Sequence, residues 1–388
     1  MDITIHPRKL SGELNIIPSK SQAHRYLICA AFAQGQTKLI CPESNDDIEA
    51  TAQCLCALGA DIQRADQGYT ISPITHVPSI AELYCRESGS TLRFLLPIVG
   101  ALGVDATFYL EGRLHQRPLS PLWEEMERMG CSLSRPTENT IRCHGKLQPG
   151  DYSIDGNVSS QYISGLCFAL PLIKGETALQ ITGKIESKPY IDMTHKAIQT
   201  FSYPHSPSPC KIIVEGDWSN GAFWLAANAL GSQVHVENLD EDSPQGDRQV
   251  AELLPKLKHF CVIEASNIPD LVPVLSVVAA ANHGAEFQNI QRLRIKESDR
   301  VASTIAMLQA FGIQAEATQT SLTIYPGTFT GGTVDACNDH RIAMAAAIAA
   351  TCCQEPVTIL GAECVKKSYP RFWEEYSRLG GKYELNLR

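Results

Sequence analysis

Asn338-Asp339-His340-Arg341-Ile342-Ala343-Met344-Ala345-Ala346-Ala347-Ile348-Ala349-Ala350 joins a charged cluster directly to a helix with no charged face. A helix that is apolar all round is buried at the centre of a domain, not laid on its surface. The apolar run from Ile342 to Ala350 is too short to cross a bilayer, so a membrane span is not expected. Gly165-Leu166-Cys167-Phe168-Ala169-Leu170, within the apolar segment 164–172, reads the same way. Buried helices of this kind need sheets wrapped around them, and the flanking sequence supplies short strands. Gly284, a strand at 286–290, a helix at 299–311, Gly312 and Ile313-Gln314-Ala315 form one such unit.

That unit recurs. Copies of strand, polar segment, amphipathic helix, glycine and strand begin near Gly35, Gly103, Gly175, Gly231 and Gly284, with a sixth at Val357-Thr358-Ile359-Leu360. The steps are longer than those of solenoid repeats, so each copy is a subdomain, and six copies predict two α/β domains of three repeats each. A chain of 388 residues has material for two such cores. Its three-proline segment at 202–209 reads as a loop.

Composition narrows the function. A net charge of −9 argues against nucleic acid or an anionic membrane as partner, while leaving room for a local basic pocket. The 14 cysteines include no Cys-x-x-Cys, and many lie in apolar runs, which fits free thiols in a reducing cytoplasm. No secretory segment is read at the N-terminus. His6, His24, His115, His195 and His340 do not fall at ligand spacing, so no metal is expected.

The chemistry-bearing motifs stand where strands or loops hand over to helices. Pro18-Ser19-Lys20-Ser21-Gln22-Ala23-His24-Arg25, Glu87-Ser88-Gly89-Ser90-Thr91-Leu92-Arg93 and Asn157-Val158-Ser159-Ser160-Gln161 place hydroxyls and free N–H groups at helix heads, where anions bind. Taken singly, each could be no more than a capped helix with a solvated cation. Arg294-Ile295-Lys296-Glu297-Ser298-Asp299-Arg300, the Asn338–Arg341 cluster and Lys366-Lys367-Ser368-Tyr369-Pro370 occupy equivalent points of their repeats and should converge on one end of a domain. Asp270, ahead of an apolar helix, could equally be a cap.

In order along nearly the whole chain, from Lys9-Leu10-Ser11-Gly12 to Tyr369-Pro370-Arg371-Phe372, these motifs resemble the enolpyruvyl transferase family. Arg117-Pro118, Ser187-Lys188-Pro189-Tyr190-Ile191-Asp192-Met193 and Glu215-Gly216-Asp217 belong to the same match. The resemblance implies a two-domain inside-out α/β barrel, each domain of three βαβαββ repeats around buried helices. It implies a discontinuous domain, 1–19 with 216–388, an inserted domain, 20–215, and an active site in the cleft between them. The implied reaction carries the enolpyruvyl group of phosphoenolpyruvate to the 5-hydroxyl of shikimate 3-phosphate, by addition and elimination through a tetrahedral intermediate. No cofactor is implied, and the protein would be a monomer.

By the same resemblance, Lys20, Ser21, Arg25, Ser159, Ser160, Gln161, Ser187, Tyr190, Asp270 and Lys296 would hold shikimate 3-phosphate. Lys20, Gly89, Arg93, Arg117, Gln161, Arg300, Arg341 and Lys367 would hold phosphoenolpyruvate. Asp270 would accept the hydroxyl proton and Glu297 would protonate the methylene carbon, with Lys20, Lys367 and His340 as further catalytic candidates. Glu87 and His24 depart from the asparagines common in the family, and Trp218-Ser219-Asn220 replaces small residues. The chain is also short for the family, with trimming expected at 204–209.

Two alternatives stay open. The branch acting on UDP-N-acetylglucosamine carries a cysteine five residues before an Arg-Pro, but Gly112 stands at that point here and no cysteine lies between Tyr109 and Pro121. A non-catalytic anion-binding relative would be expected to lose its proton-transfer groups, yet Lys20, Asp270, Glu297 and Lys367 are all present.

Overall fold

The computed structural model describes residues 1–207 and 209–386. The chain divides into two compact units: Met1–Ile17 together with the chain from Gly216 onward, and Pro18–Glu215. The division falls at 17/18 rather than 19/20, because Ser19 caps the helix Lys20–Ala31 and so belongs with it.

In the unit Pro18–Glu215 three helices are almost wholly buried: Lys20–Ala31, Gly89–Leu102 and Ser160–Ala169. Each begins at a serine whose side chain accepts a first-turn amide: Ser19 from Gln22, Ser88 from Thr91 and Ser159 from Gln161. Such caps satisfy N–H groups that the helix itself leaves unpaired. Amphipathic helices Asp46–Ala57, Leu122–Arg128 and Lys188–Phe201 alternate with them. Two four-stranded sheets and one two-stranded sheet complete the unit. Strand Ile80–Arg86 buries alternate residues, Ala81, Leu83 and Cys85, as a sheet with one face on the core requires.

The other unit repeats the plan. Its buried helices are Trp218–Ala229, Val272–Ala281 and His340–Ala350, and its amphipathic ones are Val250–Lys256, Arg300–Ala310 and Phe372–Arg378. Small side chains let the buried helices touch: every residue from His340 to Ala350 is buried, and this helix packs on both of the others. Here too there are two four-stranded sheets and one of two strands. The N-terminal strand Asp2–His6 sits inside a sheet between Val357–Leu360 and Lys382–Asn386, which commits the start of the chain to this unit.

The two-stranded sheets correct the expectation of three complete βαβαββ repeats per domain. Strand Gly150–Asp155 pairs only with Thr177–Thr182, and Ser11–Asn15 only with Gln233–Glu237. After the helix Lys188–Phe201 the chain passes Pro204, Pro207 and Pro209 and enters another sheet at Lys211–Ile213, with no room for a hairpin. After Val250–Lys256 it likewise reaches Cys261–Glu264 within a few residues. The connections 202–210 and 257–260 are thus both short. Ser208, within the expected loop, lies outside the described residues.

Candidate active site

Within each unit many of the expected residues stand at or just before helix heads, of buried and amphipathic helices alike. In Pro18–Glu215, Lys20 Nζ lies 3.0 Å from Asp47 Oδ2, an ion pair between two helix heads that the motif reading did not include. Arg93 is buried; its Nη1 donates to Gln161 Oε1 at 2.9 Å, and Gln161 Nε2 donates to Ser90 Oγ at 2.9 Å. One amide thus joins two helix heads to a guanidinium. A Cβ on Gly89 would fall 2.7 Å from Arg93 Nη1 and 2.8 Å from Arg117 Nη1, so glycine here is what lets two arginines close on the helix head.

The remaining residues of this unit form a second group. Arg25 is buried, with Nε on Thr194 Oγ1 at 2.8 Å and its terminal nitrogens on the Ser21 and Tyr190 carbonyls at 2.6 and 2.7 Å. Burial brings its guanidinium down to about 10, which still leaves it charged at neutral pH. Ser187 is buried with a φ of 53°, a left-handed conformation that a serine adopts only when its surroundings impose it. The structure therefore ties Arg25 to Ser21 and Tyr190, while Ser159 and Ser160 head the neighbouring buried helix.

In the other unit Asp270, Glu297, Lys296, Arg300 and Arg341 form a single cluster. Arg300 is fully buried and binds three carboxylates: Asp270 at 2.5 Å, Glu297 at 2.7 Å and Asp339 at 2.8 Å. Asp339 also caps the helix His340–Ala350, which fixes Arg341 in the first turn. Arg341 reaches Asp270 Oδ2 and Asn220 Oδ1, each at 3.3 Å. Burial alone would raise the pKa of Asp270, but Arg300, then Arg341 and Lys296, outweigh it and hold the carboxyl well below the usual range. Burial brings the Lys296 ammonium down to about 8 against the pull of Asp270. His340 is buried beside Arg341, and Lys367 Nζ donates to the Asn338 carbonyl at 2.8 Å on the same turn.

Four polar residues of these clusters were given no role in the sequence reading: Asp47, Asn220, Asp247 and Asp339, of which only Asn220 and Asp339 stood in quoted motifs. Asp247 is buried, accepts a hydrogen bond from Ser219, and has no partner for Oδ1 among the described residues. Burial, reinforced by the Asp270 carboxylate, pushes its carboxyl up to about 7. Asp339 had a signal, since it stands within the Asn338–Arg341 cluster, whereas the run holding Asp47 was not marked. Asn220 and Asp247 had none, because only the fold brings them to Arg341 or Ser219.

Fold and site define a protein of two α/β units, each holding cations at the heads of buried helices, with paired carboxyl groups on one buried arginine. Comparison with known proteins supplies the family. The family model for EPSP synthase (3-phosphoshikimate 1-carboxyvinyltransferase) matches residues 5–265 and 255–376. A 3-phosphoshikimate 1-carboxyvinyltransferase of Clostridium kluyveri is 39% identical over 98% of both chains, and one of Clostridium beijerinckii is 36% identical over 99% of this chain and 98% of that one. An EPSP synthase structure from Acinetobacter baumannii superposes over 99% of this chain and all of that one with a TM-score of 0.78 at 23% identity, a likeness of fold. The chain belongs to the EPSP synthase family. Its alignment with the C. kluyveri relative runs over 421 positions, more than the chain possesses, so gaps fall in this chain.

Proposed function

We propose that the chain transfers the enolpyruvyl group of phosphoenolpyruvate to the 5-hydroxyl of shikimate 3-phosphate, releasing inorganic phosphate. The observation that carries this reading is the pairing of Asp270 and Glu297 on the one buried guanidinium of Arg300. Two proton-exchanging groups are thereby held on a cation that an anionic substrate also needs. The names of the relatives support the same reaction.

The chemistry follows from charge. Two anionic substrates repel each other, and fixed cations offset that repulsion before the reaction starts. Lys20, Arg93, Arg117, Arg300, Arg341 and Lys367 take the phosphate and carboxylate of phosphoenolpyruvate, with Gly89 leaving them room. Ser21, Arg25, Ser159, Ser160, Ser187, Tyr190 and Lys296 take shikimate 3-phosphate, and Gln161 touches both substrates. As the phosphoenolpyruvate anion draws Arg300 and Arg341 to itself, Asp270 loses the cations that keep it weakly basic, and Glu297 loses its partner Arg300. Asp270 then accepts the proton of the 5-hydroxyl as its oxygen bonds to C2 of phosphoenolpyruvate, and Glu297 delivers a proton to the methylene carbon. In the second half the C–O bond to phosphate breaks and the methyl group gives back a proton, restoring the double bond. Lys20, Lys367 and His340 are the remaining candidates for carrying these protons.

The finer architecture belongs to the same reading: in each unit the sheets wrap the buried helices as an inside-out barrel. Both units serve one reaction in a monomeric, cytoplasmic enzyme that needs no cofactor. Mass spectrometry of a mixture of the protein, phosphoenolpyruvate and shikimate 3-phosphate tests the reaction. An acceptor gaining the mass of one enolpyruvyl group is expected, and recovery of unchanged acceptor would contradict the proposal.

A further inference from the structure

Behind the helix heads of the unit Pro18–Glu215 lies a line of neutral polar side chains that the reaction does not use. His24 Nδ1 lies 2.7 Å from Thr51 Oγ1, Thr51 Oγ1 lies 2.7 Å from Thr91 Oγ1, and Thr91 Oγ1 donates to Ser88 Oγ at 2.7 Å. All four residues are fully buried. His24, Thr51 and Thr91 each lie within the first two turns of their helices. His24 is one turn behind Lys20, Thr51 one turn behind Asp47, and Thr91 in the first turn behind the Ser88 cap. The front row therefore carries the Lys20–Asp47 ion pair and the Ser88–Gly89 head, and the back row is a hydrogen-bonded line through the same three helices.

The proton order is fixed from one end. Ser88 Oγ already accepts from the Thr91 amide at 3.2 Å and the Thr91 hydroxyl at 2.7 Å. With the Thr91 proton spent, Thr51 donates to Thr91, and His24 donates to Thr51 from Nδ1. That leaves Nε2 as the bare nitrogen, and it has no partner among the described residues. Burial, with Lys20 and Arg25 close by, holds the imidazole well below its usual pKa, so it stays neutral and keeps this tautomer. A buried nitrogen without a partner lowers stability. The ring, set edge-on to Phe94, therefore gains nothing over an apolar residue unless the line itself matters.

We propose that His24 and Thr51 are positioning residues: through Thr91 and Ser88 they set the spacing of the helix heads that carry Lys20, Gly89 and Arg93, and so tune the capture of phosphoenolpyruvate. The tolerance is small, because Gly89 has no room for even a methyl group against Arg93 and Arg117. Capture of phosphoenolpyruvate rests on the reaction proposed above, so the test has one readout that depends on that reaction and one that does not.

The variants are Thr51→Val, which keeps shape and removes the hydroxyl, and Thr51→Ser, which restores it. Hydrogen exchange followed by mass spectrometry on the segment 86–93 reads the line without any substrate. Steady-state kinetics read its use. T51V is expected to speed exchange at 86–93, and to raise KM for phosphoenolpyruvate roughly three- to tenfold with kcat and the KM for shikimate 3-phosphate little changed. T51S is expected to return both readouts toward wild type. Unchanged exchange in T51V would overturn the proposal, and so would faster exchange with KM unmoved or a lowered Tm alone. A wild-type protein that exchanges as expected but turns nothing over would sink the reaction while leaving the exchange readout to decide the line.

Discussion

Lys296 and Asp247 are the residues whose protonation the surrounding charge makes most legible. The Lys296 ammonium, brought down to about 8 by burial, loses its charge as pH rises through that value, and on the proposed reaction the site loses a cation for shikimate 3-phosphate. The ratio kcat/KM for that substrate is therefore expected to fall above about pH 8, since it reports groups of the free enzyme. Lys296→Arg keeps its charge to far higher pH, so the falling limb should move upward in its pH–rate profile. A limb left in place would assign it to another group. Asp247 works in the opposite sense. Its carboxyl, raised to about 7, stays protonated while the unfolded chain's carboxyl ionises, so the cost to stability begins near the unfolded pKa of about 4, grows with pH and is complete above 7. Asp247→Asn removes that cost. Its Tm relative to wild type is expected to be more favourable at pH 8 than at pH 5, and a pH-independent difference would contradict the assignment.

At the scale of elements, the helix heads do the organising. Gly89 opens the helix Gly89–Leu102 with Arg93 and Arg117 pressed against its missing side chain. Gly89→Ala must push those guanidiniums aside, and KM for phosphoenolpyruvate is expected to rise by about an order of magnitude while Tm moves little, measured by steady-state kinetics and thermal melts. A normal KM would show that the two arginines have slack. Much of this level was legible in the sequence. The helices with no charged face, His340–Ala350 among them, are buried, and the serines before Lys20, Gly89 and Ser160 do cap. What was hidden depends on distance in sequence. Nothing local tells that Asn220 meets Arg341, 121 residues on, or that Thr51 meets Thr91 across two helices. The missing hairpins were half visible: prolines mark the segment after Phe201, but nothing comparable marks 257–260.

For the whole molecule, the two units share one plan. Among the described residues, each has three buried and three amphipathic helices with two sheets of four strands and one of two. The chain is shorter than its alignment with the C. kluyveri relative, yet every residue of the expected site is present in it. Charge is unevenly placed. A chain of net charge −9 concentrates Arg93, Arg117, Arg300 and Arg341 around its helix heads, where anionic substrates would bind. Arg300 and Arg341 both pair with Asp270, so on the proposed reaction an anion that drew them away would free that carboxylate.

The central claim is tested most directly by the release of inorganic phosphate from phosphoenolpyruvate, measured with shikimate 3-phosphate, with UDP-N-acetylglucosamine and without acceptor, for the wild type and Asp270→Ala. Release with shikimate 3-phosphate alone is expected, reduced roughly 10²–10⁴-fold in D270A, the range for a lost general base. Release with UDP-N-acetylglucosamine, or silence with both acceptors from a folded protein that binds shikimate 3-phosphate, would contradict the account.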